Sequence, residues 1–332
     1  MRDQIFKTRL TDLLGIRHPI LAGGLGPGVS DGRYVAAVVN AGGMGFIVHV
    51  GYEDPDQFID EMRTCRELTG GKGFGVNLYI SRVPGSVEKI IARIPQLVDH
   101  GCVVVETAGQ NPAPILPALR EAGIKVIHKV PGVRYARSVA KTDVDAIIVV
   151  GNECGGHPGI YQIGSMVQAA QAPQEIDKPV IIGGGIGTGS QIAAVLAMGA
   201  EGVVMGTRMM VAEEMWPSRA YKEQMVAANG TESVVIKKIL RDNHRVMANE
   251  STAAVLALEE QGVTDFEAYR PHVTGALTRE GYKTGNLSTG TYDWGHSAVF
   301  ADRIEPVEAI FDRLIDDAAA ATRRIGQVTL VR

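Results

Sequence analysis

Aromatic residues make up only 5 % of this 332-residue chain, whereas glycine occurs 40 times. Few large rings and many glycines suit a protein with numerous tight strand-to-helix loops. The three cysteines, Cys65, Cys102 and Cys154, are odd in number and far apart. They form neither a disulfide framework nor a metal-ligand spacing, which points to a reducing compartment. No apolar run approaches the roughly 20 residues that span a bilayer. The net charge is −4 and there is no basic block, so nucleic-acid and membrane-surface binding lack support. The start, Met1-Arg2-Asp3-Gln4, is polar and carries no signal-peptide pattern, so a cytoplasmic location is expected.

What is present is a rhythm of short apolar, β-branched runs. They read as strands at Pro19–Ala22, Met44–Val48, Phe74–Val76, Cys102–Val105, Lys125–Ile127, Ala146–Val150, Pro179–Ile182 and Gly202–Met205. Helical patterns lie between them, at Asp31–Ala41, Asp56–Leu68, Val87–His100, Ala113–Ala122 and Gly189–Met198, most of them stopped by glycine. Alternation of this kind predicts a parallel sheet, and runs without strict polar alternation predict strands buried on both faces. Eight strands close a (β/α)8 TIM barrel, and an open doubly wound sheet is the competing architecture. The barrel is preferred because glycines and polar residues gather at the C-terminal end of nearly every strand, and a barrel brings all those ends to one mouth.

The rhythm stops near Val211. Residues 213–303 read as a mainly helical inserted second domain, with helices at Trp216–Asn229, Ser233–Asn243 and Thr252–Gln261 and a loop at Gly275–Gly295. Pro306–Arg324 has an amphipathic pattern and reads as the last barrel helix. The expected division is 1–212 with 304–332 as the barrel and 213–303 as a substrate or lid domain.

The strand ends carry the chemistry. After the sixth strand comes Gly-Asn-Glu-Cys-Gly-Gly-His-Pro-Gly, residues 151–159. Pro158 restricts His157 to extended backbone, and an imidazole suits acid or base work near neutral pH. His157 is therefore the candidate catalytic residue, with Glu153 orienting the loop or a ligand. Cys154 is a weaker candidate, as a nucleophile, and His49 also ends a strand. His18, His100, His128, His244, His272 and His296 show no metal-ligand spacing, so no metal is expected. Gly183-Gly184-Gly185 and Gly206-Thr207 follow the seventh and eighth strands, where barrels commonly hold a phosphate. A sugar phosphate and FMN fit such a site equally. Gly23-Gly24-Leu25 permits a flat ring to lie against backbone. Asn77 and Lys129 end the third and fifth strands and would point into the mouth, the lysine as a positive charge near a reduced ring.

Taken together, Pro19–Gly24, Gly75-Val76-Asn77, Val105–Gly109, Val126–Lys129, Glu153–Gly159, Gly183–Gly185 and Met205–Arg208 resemble the nitronate monooxygenase family, formerly called 2-nitropropane dioxygenases. The resemblance covers about residues 5–212 and continues more weakly through Ile239-Leu240-Arg241 and Thr252–Glu260. It implies an FMN-binding barrel in which His157 is the active-site histidine. It also implies that Gly184, Gly185, Gly206 and Thr207 hold the phosphate, while Gly24, Asn77 and Lys129 contact the ring. Gly23, Leu25, Glu153, Gly156 and Gly183 complete the expected cofactor-binding set.

The implied activity is oxidation of alkyl nitronates with O2 to a carbonyl compound and nitrite. The same family includes NAD(P)H:quinone reductases and enoyl-thioester reductases, so NAD(P)H is a candidate donor and quinone a candidate acceptor. A non-catalytic flavin-binding protein is the reading from another class, and a homodimer is a candidate assembly. The chain departs from the family pattern at Ala22, at Gly26-Pro27-Gly28 and at Asp293-Trp294-Gly295-His296, all where substrate is expected.

Overall fold

In a computed structural model, every predicted strand forms and the sheet closes on itself. The structure describes residues 3–26, 28–52 and 54–328. Met1, Arg2 and Pro27 of the motifs above, and the end of the expected barrel segment from 329, lie outside the described residues. The strands are β1 (Ile20–Ala22), β2 (Met44–Val48), β3 (Phe74–Ile80), β4 (Cys102–Gly109), β5 (Lys125–Val130), β6 (Ala146–Val150), β7 (Val180–Gly183) and β8 (Gly202–Met205). All neighbours run parallel, and β1 pairs with both β2 and β8. An open sheet would leave two edges of unpaired N–H and C=O groups; this closed barrel has none.

The helices Gly32–Ala41, Pro55–Leu68, Ser86–Asp99, Leu116–Glu121, Val133–Val139, Ser165–Glu175 and Gly189–Ala197 follow β1 to β7 in turn. The eighth place is filled from the far end of the chain. Helix Val307–Gly326 buries Val307, Ile310, Phe311, Leu314, Ile315 and Ala318 and packs between Gly189–Ala197 and Gly32–Ala41. Gly189 has no side chain because the Leu314 carbonyl occupies that space. The helices Val133–Val139 and Ser165–Glu175 have no counterpart in the sequence reading; one is too short to show a period and the other contains Pro173.

Between β8 and that last helix, two expectations fail. Ser233–Asn243 is not a helix. It forms β9 (Ser233–Ile236) and a turn that leads into β10 (His244–Met247), paired antiparallel with His244 opposite Ile236 and Met247 opposite Ser233. Val234-Val235-Ile236 is β-branched and favours a strand. Lys237 at φ 59° and Arg241 at φ 54° break any right-handed helix. Gly275–Gly295 is not all loop either: Gly275–Thr284 is a helix ended by Gly285 at φ 78°. Its Gly281 leaves room for the Tyr292 hydroxyl, so that glycine, read as a loop signal, is a packing glycine. Helix Phe266–Val273 was also unread.

Tyr221, Tyr282, Tyr292 and Trp294 from this segment pack edge to face with ring centroids 4.9–5.8 Å apart and belong to the same core as the barrel. A small second core, Ile236, Val246, Val255 and Tyr269, lies under the hairpin. No helix among the described residues is long and apolar enough to cross a membrane.

Ion pairs tie the last helix to the barrel. Arg208, just after β8, is 2 % exposed and meets Glu305 at 3.3 Å, and Arg313 meets the same carboxylate at 2.8 Å. Glu305→Ala leaves the Arg208 guanidinium buried without its counter-ion. It should destabilise the fold by about 3 kcal/mol, read as a lowered urea midpoint; an unchanged midpoint would contradict the pairing.

Candidate active site at the barrel mouth

A fully buried carboxylate lies at the centre of the mouth. Glu106 stands opposite Asn77 on β3 in the sheet register. One of its oxygens pairs with the Lys129 ammonium, and the other accepts the Gly24 N–H at 2.9 Å. Glu106 is 0 % exposed, so the charge is tolerable only because both oxygens are engaged. Gly24 is glycine for contact reasons: a Cβ there would lie 2.5 Å from the Asn77 Cβ. Gly24, Asn77 and Lys129 therefore converge as the sequence suggested. The residue that joins them, Glu106, was quoted in the motif without a role. A lone carboxylate in the apolar run Val103–Thr107 was the available signal.

His49 turns toward the barrel wall: its Nδ1 lies 2.9 Å from the Asn77 carbonyl. Burial pushes its pKa down, with the Asn77 hydrogen bond opposing. His128 is likewise structural, 2.8 Å from Thr107 Oγ1, and burial followed by the Lys129 charge pushes it down to about 4.

The loop after β6 is held from three sides. Gly151 N–H donates to the Gly183 carbonyl at 2.9 Å. The Glu153 carboxylate accepts from Ser165 N–H at 2.9 Å and Ser165 Oγ at 3.0 Å, so it caps helix Ser165–Glu175. Gly156, at φ 88°, exchanges two backbone hydrogen bonds with Arg245 of β10, at 3.0 and 2.7 Å. The Arg245 guanidinium donates to the Asn152 carbonyl at 3.0 Å. Burial, then the Asp293 charge, pushes the Cys154 thiol up to about 12, which disfavours the thiolate that a nucleophile needs.

His157 keeps its ring 60 % exposed. Its pKa is pushed down, first by the protein wall around it and next by His244 and Lys237. Water reaching the open ring offsets part of the first effect, and the downward direction remains. The ring stacks on His244 at 4.3 Å between centroids and 11° between planes. His244 Nε2 lies 2.7 Å from Asp293 Oδ1. Asp293 is half-buried; loss of water around it raises its pKa, but the His244 hydrogen bond and the charges of His244, His157 and Lys129 bring it below the usual carboxylate value. Lys129 lies at the end of β5 and the histidine loop follows β6, its paired neighbour in the barrel, so the histidine loop and the Glu106–Lys129 pair border one region. The sequence marks Asp293 as a departure where substrate is expected and His244 only as a histidine without metal-ligand spacing. What it hides is their pairing, because the helix expected over Ser233–Asn243 is a hairpin that sets His244 beside Asp293.

The ends of β7 and β8 offer backbone donors. Gly184 and Gly185 have φ of 94° and 71°. Their N–H groups, and that of Gly206, donate to no protein acceptor among the described residues. The neighbouring donors are used: Gln191 Oε1 accepts from Gly187 and Thr188. Thr207 is buried, and its hydroxyl accepts the Gly295 N–H at 3.0 Å, which orients the hydroxyl and leaves its O–H able to donate to a ligand. Gly183 packs on Val204, Gly23 approaches the same valine, and Leu25 sits over Gly206. A set of free N–H groups at two adjacent strand ends, with the nearby Glu153 carboxylate already engaged, fits a phosphate.

Two concavities lie at opposite ends of the barrel. One of about 330 Å³ lies beside the ends of β2 and β3, lined by His49, Tyr79, Lys89 and Arg93 among others. A larger one, about 460 Å³, is at the opposite, N-terminal end of the barrel, with Arg17, Lys72 and Lys125. Barrel chemistry resides at the C-terminal end, so the larger hollow is not the reaction site.

The sequence profile of the family described as nitronate monooxygenase matches residues 7–317. The solved structure of FabK from Thermotoga maritima is 31 % identical, with a TM-score of 0.87 covering 97 % of this chain and 100 % of that one. A probable nitronate monooxygenase of Staphylococcus saprophyticus is 28 % identical over 87 % of this chain and 90 % of that protein. The (3aS,4S,5R,7aS)-5-hydroxy-7a-methyl-1-oxo-octahydro-1H-indene-4-carboxyl-CoA dehydrogenase of Rhodococcus jostii is 31 % identical over 77 % of this chain and 69 % of that protein.

Glu106→Ala removes the counter-ion of Lys129 and the acceptor for Gly24. It should cost about 3 kcal/mol of stability, with Glu106→Gln, which keeps an acceptor oxygen, losing less. Equal urea midpoints for wild type and Glu106→Ala would show that the pair does not hold the mouth together.

Proposed function

The chain belongs to the nitronate monooxygenase family, and from that premise we propose that it oxidises alkyl nitronates with O2 to a carbonyl compound and nitrite, using FMN at the barrel mouth. The observation that carries this reading is the meeting of an open imidazole, a lysine anchored on a buried carboxylate and a set of unused N–H groups around one end of the barrel. The free N–H groups of Gly184, Gly185 and Gly206, with Thr207, would hold the phosphate. Gly23, Gly24, Leu25, Asn77 and Lys129 would face the ring. Bound there, FMN supplies a two-electron acceptor that O2 can regenerate.

The protein's own contribution is positioning and charge. Asn77 has its side-chain amide free to match a ring edge that both donates and accepts hydrogen bonds. Lys129 brings positive charge that Glu106 holds in place. His157, neutral at neutral pH, can donate a hydrogen bond to an anionic nitronate. For a neutral nitroalkane the same nitrogen set can take the α-proton. Glu153 and Gly156 act on the loop: one caps the helix beyond it, and the other fixes it to β10.

His157→Asn should leave the purified protein yellow and reduce nitronate turnover by about 10²–10⁴-fold. Unchanged turnover would remove His157 from the reaction. A second reading, reduction of quinones or enoyl thioesters by NADH or NADPH at the same site, is favoured by the relative named as a carboxyl-CoA dehydrogenase. Anaerobic mixing separates the two. Bleaching by nitronate alone supports the first, and rapid bleaching by NADH or NADPH supports the second.

A further inference from the structure

His157 does not stand alone, and its neighbour is placed by backbone rather than by chance contact. Three consecutive residues of β10 lace the region together. Arg245 bridges to Gly156 in the histidine loop, and Val246 bridges to Asp293 in the returning segment. His244 precedes them, so the same pairing that sets the loop sets its ring against His157. The result is a face-to-face stack at 4.3 Å, with Asp293 at 2.7 Å behind His244.

We propose that His244, held by Asp293, is the positioning residue of this site: the pair takes the proton, and His157 is kept neutral with its ring plane fixed. The sense of the proposal rests on His157 being the reacting acid or base; its geometry does not. Two rings stacked this closely cannot both be cationic without strong mutual repulsion. The 2.7 Å contact is a charge-assisted hydrogen bond, and it stabilises a proton on His244. The other groups around His157 do not reverse this preference. Lys237 adds positive charge and disfavours a second proton. Asp242 lies 3.8 Å from His157 Nε2, but Lys237 pairs with it directly. Asp293 is engaged by His244.

The test is a histidine titration by NMR on the full-length protein labelled with ¹⁵N at histidine. In the wild type, His157 should titrate at lower pH than His244. In His244→Phe, which keeps a stacked ring without its charge, the His157 midpoint should rise by about one pH unit. His244→Gln serves the same purpose should the phenylalanine variant not fold. In Asp293→Asn the two midpoints should draw together. An unchanged His157 midpoint in the folded His244 variant would overturn the proposal, as would His157 titrating above His244 in the wild type. This readout needs no turnover, so a protein inactive on nitronates would refute the proposed reaction and leave the titration result standing. Where turnover is present, the acidic limb of its kcat/KM profile should move with the same midpoint in His244→Phe, with flavin content unchanged.

Discussion

One buried carboxylate holds the opening of this barrel in shape. Glu106 cannot shed its charge into water, so it must be satisfied by groups that its neighbours bring to it. Those groups are the Lys129 ammonium from β5 and the Gly24 N–H from the chain leaving β1. Segments from three strands are thereby referenced to one point. The lysine that would meet a ligand is held by its own counter-ion before any ligand arrives. A flexible four-carbon stem loses much of its rotational freedom once its tip is pinned. The precision needed at the mouth thus comes from an ion pair that would be poor value as a stabiliser alone.

The histidine loop obeys a different constraint. It contains four glycines in nine residues and has few side chains to anchor it. Its shape is imposed from outside, by Glu153 reaching the helix start at Ser165 and by β10 pairing with Gly156. The segment between β8 and the last helix is consequently a wall of the site. The Gly295 N–H on Thr207, and the His296 N–H on the Glu153 carbonyl at 3.0 Å, join that wall to two strand-end loops.

How much of this was readable beforehand depended on the range of the forces. The eight strands were legible because burial on both faces writes itself into short, continuous apolar runs such as Ala146–Val150. The strand-end residues were legible because their order along the chain is also their order around the mouth. The β9–β10 hairpin was not. Val234–Ile236 is too short for a period to declare itself, and its turn uses Lys237 and Arg241 at positive φ in place of the glycine or asparagine that would mark it. Glycines in Gly275–Gly295 misled for the converse reason, since Gly281 answers to Tyr292 and not to a turn. Glu106 was visible as an oddity, but its partners lie 23 and 82 positions away, and no local pattern records such a distance.

The last barrel helix also has a temporal meaning. Residues 307–326 fill a gap between helices that lie near residues 36 and 193, and their Phe311 and Leu314 cover ground beside Gly43 and Gly189. A chain still being synthesised therefore carries an incomplete outer ring until residues 307–326 have left the ribosome. Its final topology depends on contacts of very high sequence separation, which form late and slowly. The growing polypeptide must keep that unfinished apolar seam from other surfaces until the helix Val307–Gly326 arrives to seal it.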